Sequence, residues 1–329
     1  MRPALMDIEN LTVEFLTARG ALRAVDQLSL EIGAGESVGL VGESGCGKTA
    51  TALSILQLLP RPGRVASGEI RFLGKDLLGL GESEMRGIRG RQIAMVFQEP
   101  MRSMNPVERC GEQVAETLNI HLHFGSHESR SRVLALFGQV GLSDPAEVYE
   151  AYPHQLSGGM RQRVMIAMAL ACDPPLLLAD EPTTALDVTI QAQIVALLTR
   201  LKRTRGLAVL FISHNLALVS GACERVAVMY AGRLVEVAHT DVLFEKALHP
   251  YTRALIASLP HIDGPVTPAI PIPGEVPHLA SLPPGCRFSD RCSRVRPECR
   301  LEDPPLVTLD DGHCVACWCT GGGRRENTS

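Results

Sequence analysis

Three short segments carry residue types whose spacing can do chemistry. The first is Gly42-Glu43-Ser44-Gly45-Cys46-Gly47-Lys48-Thr49, which fits the pattern G-x-x-x-x-G-K-[ST]. Its glycines let backbone N–H groups turn inward around phosphate oxygens. A helix starting at its end adds partial positive charge at the same point. Lys48 is then placed to reach the β- and γ-phosphates of a nucleoside triphosphate, and Thr49 to ligand Mg²⁺, with Ala50 completing the binding set. The second segment, Leu176-Leu177-Leu178-Ala179-Asp180-Glu181, is an apolar run ending in two acids. Such a strand sets carboxylates at the edge where α/β sheets bind ligands. Asp180 would hold Mg²⁺, directly or through water. Glu181 would polarise an attacking water as general base. An Asp-Glu pair at a strand end is, by itself, more often a solvated terminus. Beside a phosphate loop it becomes the metal ligand and base of a triphosphate hydrolase.

The third segment is Leu156-Ser157-Gly158-Gly159-Met160-Arg161-Gln162. It has the make-up of a second phosphate-binding helix start: the Ser157 hydroxyl and the N–H groups of Gly158 and Gly159 are donors with nothing bulky in the way. One chain already offers one phosphate loop, so a second donor set has a use if it meets the nucleotide of another chain.

Elements must position these segments. Ile8, Leu11, Val13 and Phe15 predict one strand, Leu28, Leu30 and Ile32 another, and Ser37–Val41 a short buried strand leading into the glycine-rich loop. Thr49 to Leu59 has helical spacing and stops at Pro60. Further strands are predicted at Glu69–Phe72, Ile93–Phe97, Leu176–Ala179, Ala208–Ile212 and Val226–Tyr230. Residues 107–150 predict helices, as do the second half of Leu156–Leu170 and the amphipathic stretch Ile190–Lys202. Strands alternating with helices imply an α/β core with a mainly parallel sheet. Pro260 to Pro284 is rich in proline and reads as an extended linker. Ten cysteines are present, and six of them (Cys286, Cys292, Cys299, Cys314, Cys317 and Cys319) crowd the end of the 329-residue chain. No secretory signal is visible, so the expectation is a reducing compartment, where that crowding reads first as metal or cluster ligands.

Bulk composition narrows the function classes. The formal net charge of -4 and an aromatic content of 4% offer neither the basic field nor the stacking surface of a nucleic-acid binder. No apolar stretch approaches the ~18 residues needed to span a bilayer. A membrane would be reached through partner proteins.

The segment Leu156–Gln162 resembles the LSGGQ signature of ABC ATPases, with Met-Arg-Gln where many members have a plain Gln. The remaining motifs are similar to that family in the same order. Gln98 looks like the residue that senses Mg²⁺ and the attacking water and couples to a membrane subunit. Ala185-Leu186-Asp187 looks like the loop lining the dimer seam, and His214, after the strand ending at Ile212, like the histidine that contacts the γ-phosphate. Phe15 is the candidate for stacking on adenine, with Arg23 a competitor. Nearly the whole chain resembles the oligopeptide/dipeptide subgroup of bacterial ABC importer ATPases. That resemblance is carried by Phe97-Gln98-Glu99-Pro100-Met101, Asn105-Pro106, Tyr152–Arg163, Asp180–Gln191 and His249-Pro250-Tyr251-Thr252. Asn215 departs from it, where such proteins often have Asp.

The resemblance implies a P-loop NTPase fold with a mainly parallel core sheet, an antiparallel β subdomain, a helical subdomain at about 107–170 and a Pro/Cys-rich C-terminal extension. Residues 1–258 would be the ATPase domain and 259–329 the extension. It implies ATP and Mg²⁺ as ligands, with Mg²⁺ held by Thr49, Gln98 and Asp180. Partners would be a second ATPase subunit (a paralogue in a heterodimer), two transmembrane permeases and an extracytoplasmic solute-binding protein. The chain would sit peripherally on the cytoplasmic face of the inner membrane. In some members of this subgroup the tail holds a [4Fe–4S] cluster, which here would use Cys286, Cys292, Cys299 and Cys317. Cys314 and Cys319 are competitors for the fourth place, and zinc is the alternative metal. The resemblance implies an ATP-hydrolysing subunit that energises import of peptides, with nickel or another small solute as the alternative. An ABC ATPase acting on nucleic acid or ribosomes would need inserted arms or a second cassette, and a catalytically dead partner would lack Lys48, Asp180, Glu181 or His214.

Overall fold

The computed structural model describes residues 4–18, 20–183, 187–259, 272–309 and 312–320. In chain order the strands and helices are β1 (Ala4–Thr17), β2 (Gly20–Gly33), β3 (Ser37–Val41), α1 (Lys48–Ile55), β4 (Gly63–Phe72), β5 (Lys75–Asp76), α2 (Glu82–Ile88), β6 (Ile93–Val96), α3 (Pro100–Ser103), α4 (Cys110–Leu122), α5 (Ser126–Gln139) and α6 (Pro145–Glu150). They continue with α7 (Gly158–Ala169), β7 (Leu176–Asp180), α8 (Val188–Arg205), β8 (Ala208–Ser213), α9 (Leu216–Ser220), β9 (Arg225–Tyr230), β10 (Arg233–His239), α10 (Thr240–Lys246), α11 (Pro250–Ala257), α12 (Glu298–Leu301), β11 (Val307–Thr308) and β12 (Cys314–Val315).

The chain divides into two compact units that alternate along the sequence. One comprises the residues up to Leu5, Ile32–Glu36 and Leu77–Phe211. Within it β6 and β7 pair in parallel, Ile93 opposite Leu176 through Val96 opposite Ala179. Every residue of both strands is buried. That explains their unbroken apolar composition, since a strand covered on both faces shows no alternation. Helices α4 to α7 pack on one another around Val114, Leu118, Val133, Leu136, Phe137 and Val164, all buried. The approach is close: a Cβ added at Gly111 in α4 would lie 2.2 Å from the Tyr149 ring of α6. The sequence also places the helix ends. Asp144 accepts from the Glu147 N–H (2.9 Å) ahead of Pro145 at the first turn of α6. Asp187 accepts from the Ile190 N–H (2.9 Å) at the start of α8, and Gly206, left-handed with φ 64°, closes it.

The other unit comprises Met6–Glu31, Ser37–Asp76 and the residues from Ile212 onward. Here β2, β1, β4 and β5 form a sheet in that order, β1 running antiparallel to β4 from Met6 opposite Phe72 to Phe15 opposite Gly63. A second set of strands lies in the order β11-β12-β10-β9-β3. In it β3 and β9 are parallel, while β9–β10, β10–β12 and β11–β12 are antiparallel. The C-terminal residues therefore extend the sheet that carries the glycine-rich loop, through β12 on β10.

Some expected boundaries move. α1 ends at Ile55, short of Leu59, because Gln57 turns left-handed (φ 50°) one residue after the cap Leu56. Phe97 lies beyond β6 and is 36% exposed. The expected helical stretch 107–150 is three helices. Of the predicted linker, residues 260–271 lie outside the described residues, and 272–284 carry no helix or strand. Among the described residues no helix is long and apolar enough to cross a membrane.

Candidate functional site

The glycine-rich loop joins β3 to α1, the strand–loop–helix context the motif requires. Gly47 caps α1 at φ 108°, and a Cβ there would stand 2.2 Å from the Ala24 carbonyl oxygen, so no other residue fits. Lys48 is buried. Its ammonium donates to the Gly42 and Glu43 carbonyls (2.8 and 3.1 Å) and lies 3.7 Å from Cys46 Sγ. The charge is thus held inside the curve of its own loop, where a phosphate would be met. Cys46 is 1% exposed; burial pushes its thiol pKa up, and Lys48 opposes that shift. A protonated, enclosed thiol acts here as a small apolar filler. Ser44, Gly45 and Thr49 are exposed and Ala50 is half-buried, so the outer side of the loop is open.

Glu43 is tied at each of its polar groups. Its N–H donates to the Tyr251 hydroxyl (3.0 Å), its carbonyl accepts from Lys48, and its carboxylate accepts two hydrogen bonds from Arg291 (2.7 and 3.1 Å). The sequence reading included Glu43 only for its place in the motif. Nothing in the spacing pointed to Tyr251 or Arg291 as its partners, which lie 208 and 248 positions away.

In the same unit His214 follows β8 and is exposed. Asn215, the departure from the family pattern, caps α9: its Oδ1 accepts from the Ala217 N–H (3.0 Å), and its own N–H donates to Ser213 Oγ (2.9 Å). Phe15 is half-buried on β1 opposite Gly63, and its ring is so close that a Cβ at Gly63 would lie 2.7 Å from it. Arg23 pairs with Glu14 (3.2 Å) and Asp26 (3.6 Å).

In the other unit Asp180 ends β7 and is 2% exposed. Glu181 leaves the strand in a left-handed conformation (φ 44°), an uncommon one for a residue with a Cβ. Gln98 donates from Nε2 to Glu181 Oε2 at 3.0 Å. Two acids adjacent in sequence therefore have different surroundings, one enclosed and one amide-bonded. Ser157 caps α7, its Oγ accepting from the Met160 N–H (3.2 Å). Gly158 and Gly159 are half-buried. A Cβ at Gly159 would press to 3.1 Å from Ile190 of α8, so the glycine permits that close packing. Of Ala185-Leu186-Asp187, the first two residues lie outside the described ones, as does Thr184; Asp187 serves as the α8 cap.

The terminal cysteines are all free thiols. The ready-made ligand shell expected of Cys286, Cys292, Cys299 and Cys317 is not formed: among the described residues no group of three or more His, Cys, Asp or Glu side chains is arranged to hold a metal ion. The thiols are nonetheless gathered. Burial pushes Cys286 up to about 12, with Asp303, Cys299 and Cys317 adding to the rise. Burial likewise raises Cys317 to about 11, with Cys319 and Cys292 adding. Cys314 stands apart in β12, its Sγ 3.3 Å from Thr308 Oγ1.

The chain is similar to known proteins. A family model described as ABC transporter matches residues 25–184, and one described as oligopeptide/dipeptide transporter, C-terminal region, matches residues 235–299. The probable peptide ABC transporter ATP-binding protein y4tR of Sinorhizobium fredii is 48% identical, covering 95% of this chain and 94% of that protein. The oligopeptide transport ATP-binding protein AppD of Bacillus subtilis is 46% identical and the dipeptide transport ATP-binding protein DppD of Escherichia coli 45%, each covering 95% of this chain and 96% of the relative. Among solved structures, a dimeric ATP-binding cassette in a post-hydrolysis state bound to ADP and Pi is 29% identical with a TM-score of 0.65. That match covers 71% of this chain and 98% of the other.

Proposed function

Because this chain belongs to the ABC transporter family, among the ATP-binding proteins of oligopeptide and dipeptide transporters, we propose that it hydrolyses ATP to drive peptide import through ATP-dependent closure of a two-cassette dimer. The observation that carries the catalytic reading is the separation of the two acids at the end of β7: Asp180 sealed, Glu181 turned out and bonded to Gln98. An enclosed carboxylate suits a hard cation, while a half-exposed one held by an amide suits water.

In this reading Gly42–Ala50 enclose the triphosphate, and Lys48 leaves its loop carbonyls for the β- and γ-phosphate oxygens. Thr49 and Asp180, with Gln98, are oxygen donors of the type Mg²⁺ takes, and the ion neutralises phosphate charge when bound. Glu181 takes a proton from the attacking water, Gln98 holds Glu181 in place, and His214 approaches the γ-phosphate. Ser157, Gly158 and Gly159 donate to the nucleotide of the opposite chain, and Phe15 stacks on adenine. The exposed side chains Phe97 and Met101, flanking Gln98, pass the closure on to a permease. The ATPase part spans residues 1–258 and the extension 259–329. The partners are a paralogous ATPase and two permeases at the cytoplasmic face of the membrane, served by an extracytoplasmic binding protein. Peptide is favoured over nickel because the named relatives are peptide, oligopeptide and dipeptide transport proteins.

The test is Glu181→Gln in the assembled transporter. Turnover should fall at least about 100-fold, the contribution of a positioned general base, while ATP still binds and holds two cassettes together in size-exclusion chromatography. Normal turnover in that variant would defeat the assignment. A second reading concerns the tail. The described residues form no preassembled site, so a [4Fe–4S] cluster, or zinc, acting as a structural staple would have to draw the cysteine thiols together on binding. Brown protein with stoichiometric iron supports the cluster. Colourless protein with stoichiometric zinc supports the alternative, and metal-free protein of full activity rejects both.

A further inference from the structure

We propose that Arg291, in the C-terminal extension, is a positioning residue for the phosphate loop: it clasps and neutralises Glu43 so that the loop accepts a magnesium-bound triphosphate. Two features of the pair support this. The first is how completely Arg291 is used. Its side chain is 5% exposed. Both terminal nitrogens donate to the Glu43 carboxylate (2.7 and 3.1 Å), Nη1 also reaches the Tyr230 hydroxyl (3.3 Å), and Nε donates to the Pro273 carbonyl (2.9 Å). The guanidinium lies 5.7 Å from the Tyr230 ring and 5.9 Å from the Phe288 ring. Those two rings pack with Tyr251 at centroid distances of 4.6 to 5.4 Å. A planar fork locked by packing and paired bidentately gives a fixed geometry, which a lysine could not reproduce.

The second feature is where the pair acts. Glu43 is the second residue of the phosphate loop. Its carbonyl is one of two that hold the Lys48 ammonium, and its N–H is spoken for by Tyr251. Arg291 and Tyr251 together fix the backbone that presents Lys48. Charge works in the same direction. An uncompensated carboxylate in the loop would repel an anionic ligand, and pairing with Arg291 removes that charge at a site where screening by solvent is reduced. The extension thus contributes to nucleotide affinity without touching nucleotide.

The inference rests on the nucleotide site proposed above. The experiment compares steady-state ATP hydrolysis by the full chain in the assembled transporter for wild type, Arg291→Ala, Glu43→Gln, the double variant and Lys48→Ala. Arg291→Ala should raise KM for ATP about tenfold, within the usual range of coupling between sites, with kcat changed far less. Adding Glu43→Gln should recover the part of that loss that comes from the unpaired carboxylate, while the part that comes from the open clasp remains. A merely structural anchor would not give this pattern. Unchanged KM in Arg291→Ala, or a loss that Glu43→Gln does not rescue, overturns the proposal. If Arg291→Ala does not fold, Arg291→Lys decides, since lysine keeps the charge but not the planar fork: a several-fold rise in KM for ATP supports the proposal, and an unchanged KM overturns it. Lys48→Ala separates the two readings, since full turnover in that variant would sink the nucleotide site itself, whereas its loss beside a normal Arg291→Ala sinks only the clasp.

Discussion

Lowering the pH should destabilise the folded chain through one buried histidine. His249 caps α11, its Nδ1 accepting from the Tyr251 N–H at 3.0 Å, and it is 2% exposed. Burial depresses its pKa from 6.5 to about 3. Geometry points the same way, because an imidazolium has no acceptor left for Tyr251. The unfolded chain takes up a proton as pH falls through 6.5, while the folded chain resists until about 3. The neutral-histidine stability is therefore complete above 6.5, declines throughout that window and is flat below it. At 1.36 kcal/mol per unit the total is about 5 kcal/mol, of which about 2 kcal/mol is gone by pH 5. Urea unfolding of wild type and His249→Asn at pH 7 and pH 5 measures it. Asn keeps a capping acceptor and does not titrate, so contributions common to the two proteins cancel in the comparison. Wild type should lose about 2 kcal/mol more than the variant between the two pH values. Parallel losses in the two proteins would refute the reasoning.

Other expectations follow from the packing. Gly47→Ala should abolish binding of a fluorescent ATP analogue while far-ultraviolet circular dichroism is unchanged, because its Cβ would sit 2.2 Å from the Ala24 carbonyl at the loop itself. Glu236→Leu should destabilise the protein by roughly 4 kcal/mol in urea unfolding. The change strands the N–H groups of Leu248 and His249 and the His313 ring, all of which bond that fully buried carboxylate. Gly111→Ala should cost about 1–3 kcal/mol by overpacking against Tyr149, read by the same method. If the tail carries a chromophore, Cys314→Ser should leave its absorbance intact and Cys286→Ser should remove it.

Much of the fold was legible because it is written in local patterns. The loop Gly42–Thr49, the runs at 176–179 and 208–212 and the periodic helix at 190–202 announce themselves by spacing, and each lies within or close to the element observed. β10 was missed because Leu234 to Ala238 are all buried, so no alternation marks them, and a charged residue, Glu236, sits in the middle. That glutamate is tolerated because three donors converge on it from residues 12, 13 and 77 positions away. The early end of α1 was invisible too, since Gln57 adopts its left-handed turn without a glycine to signal it. At the site, Gln98 and Glu181 were each singled out by motif, but their contact across 83 residues is a product of β6 pairing with β7. The tail shows the converse. Cysteine spacing drew attention to 286–319, yet Arg291, between Cys286 and Cys292, makes the bonds to the loop, and an arginine among cysteines has no distinguishing pattern.

The ion pair between Glu43 and Arg291 also sets an order of events during synthesis. A ribosome exposes the nucleotide loop 248 residues before it delivers the side chain that clasps it. Over that interval a nascent cassette carries an unclasped loop, and the clasp closes only after the segment bearing Arg291 has emerged and folded onto it.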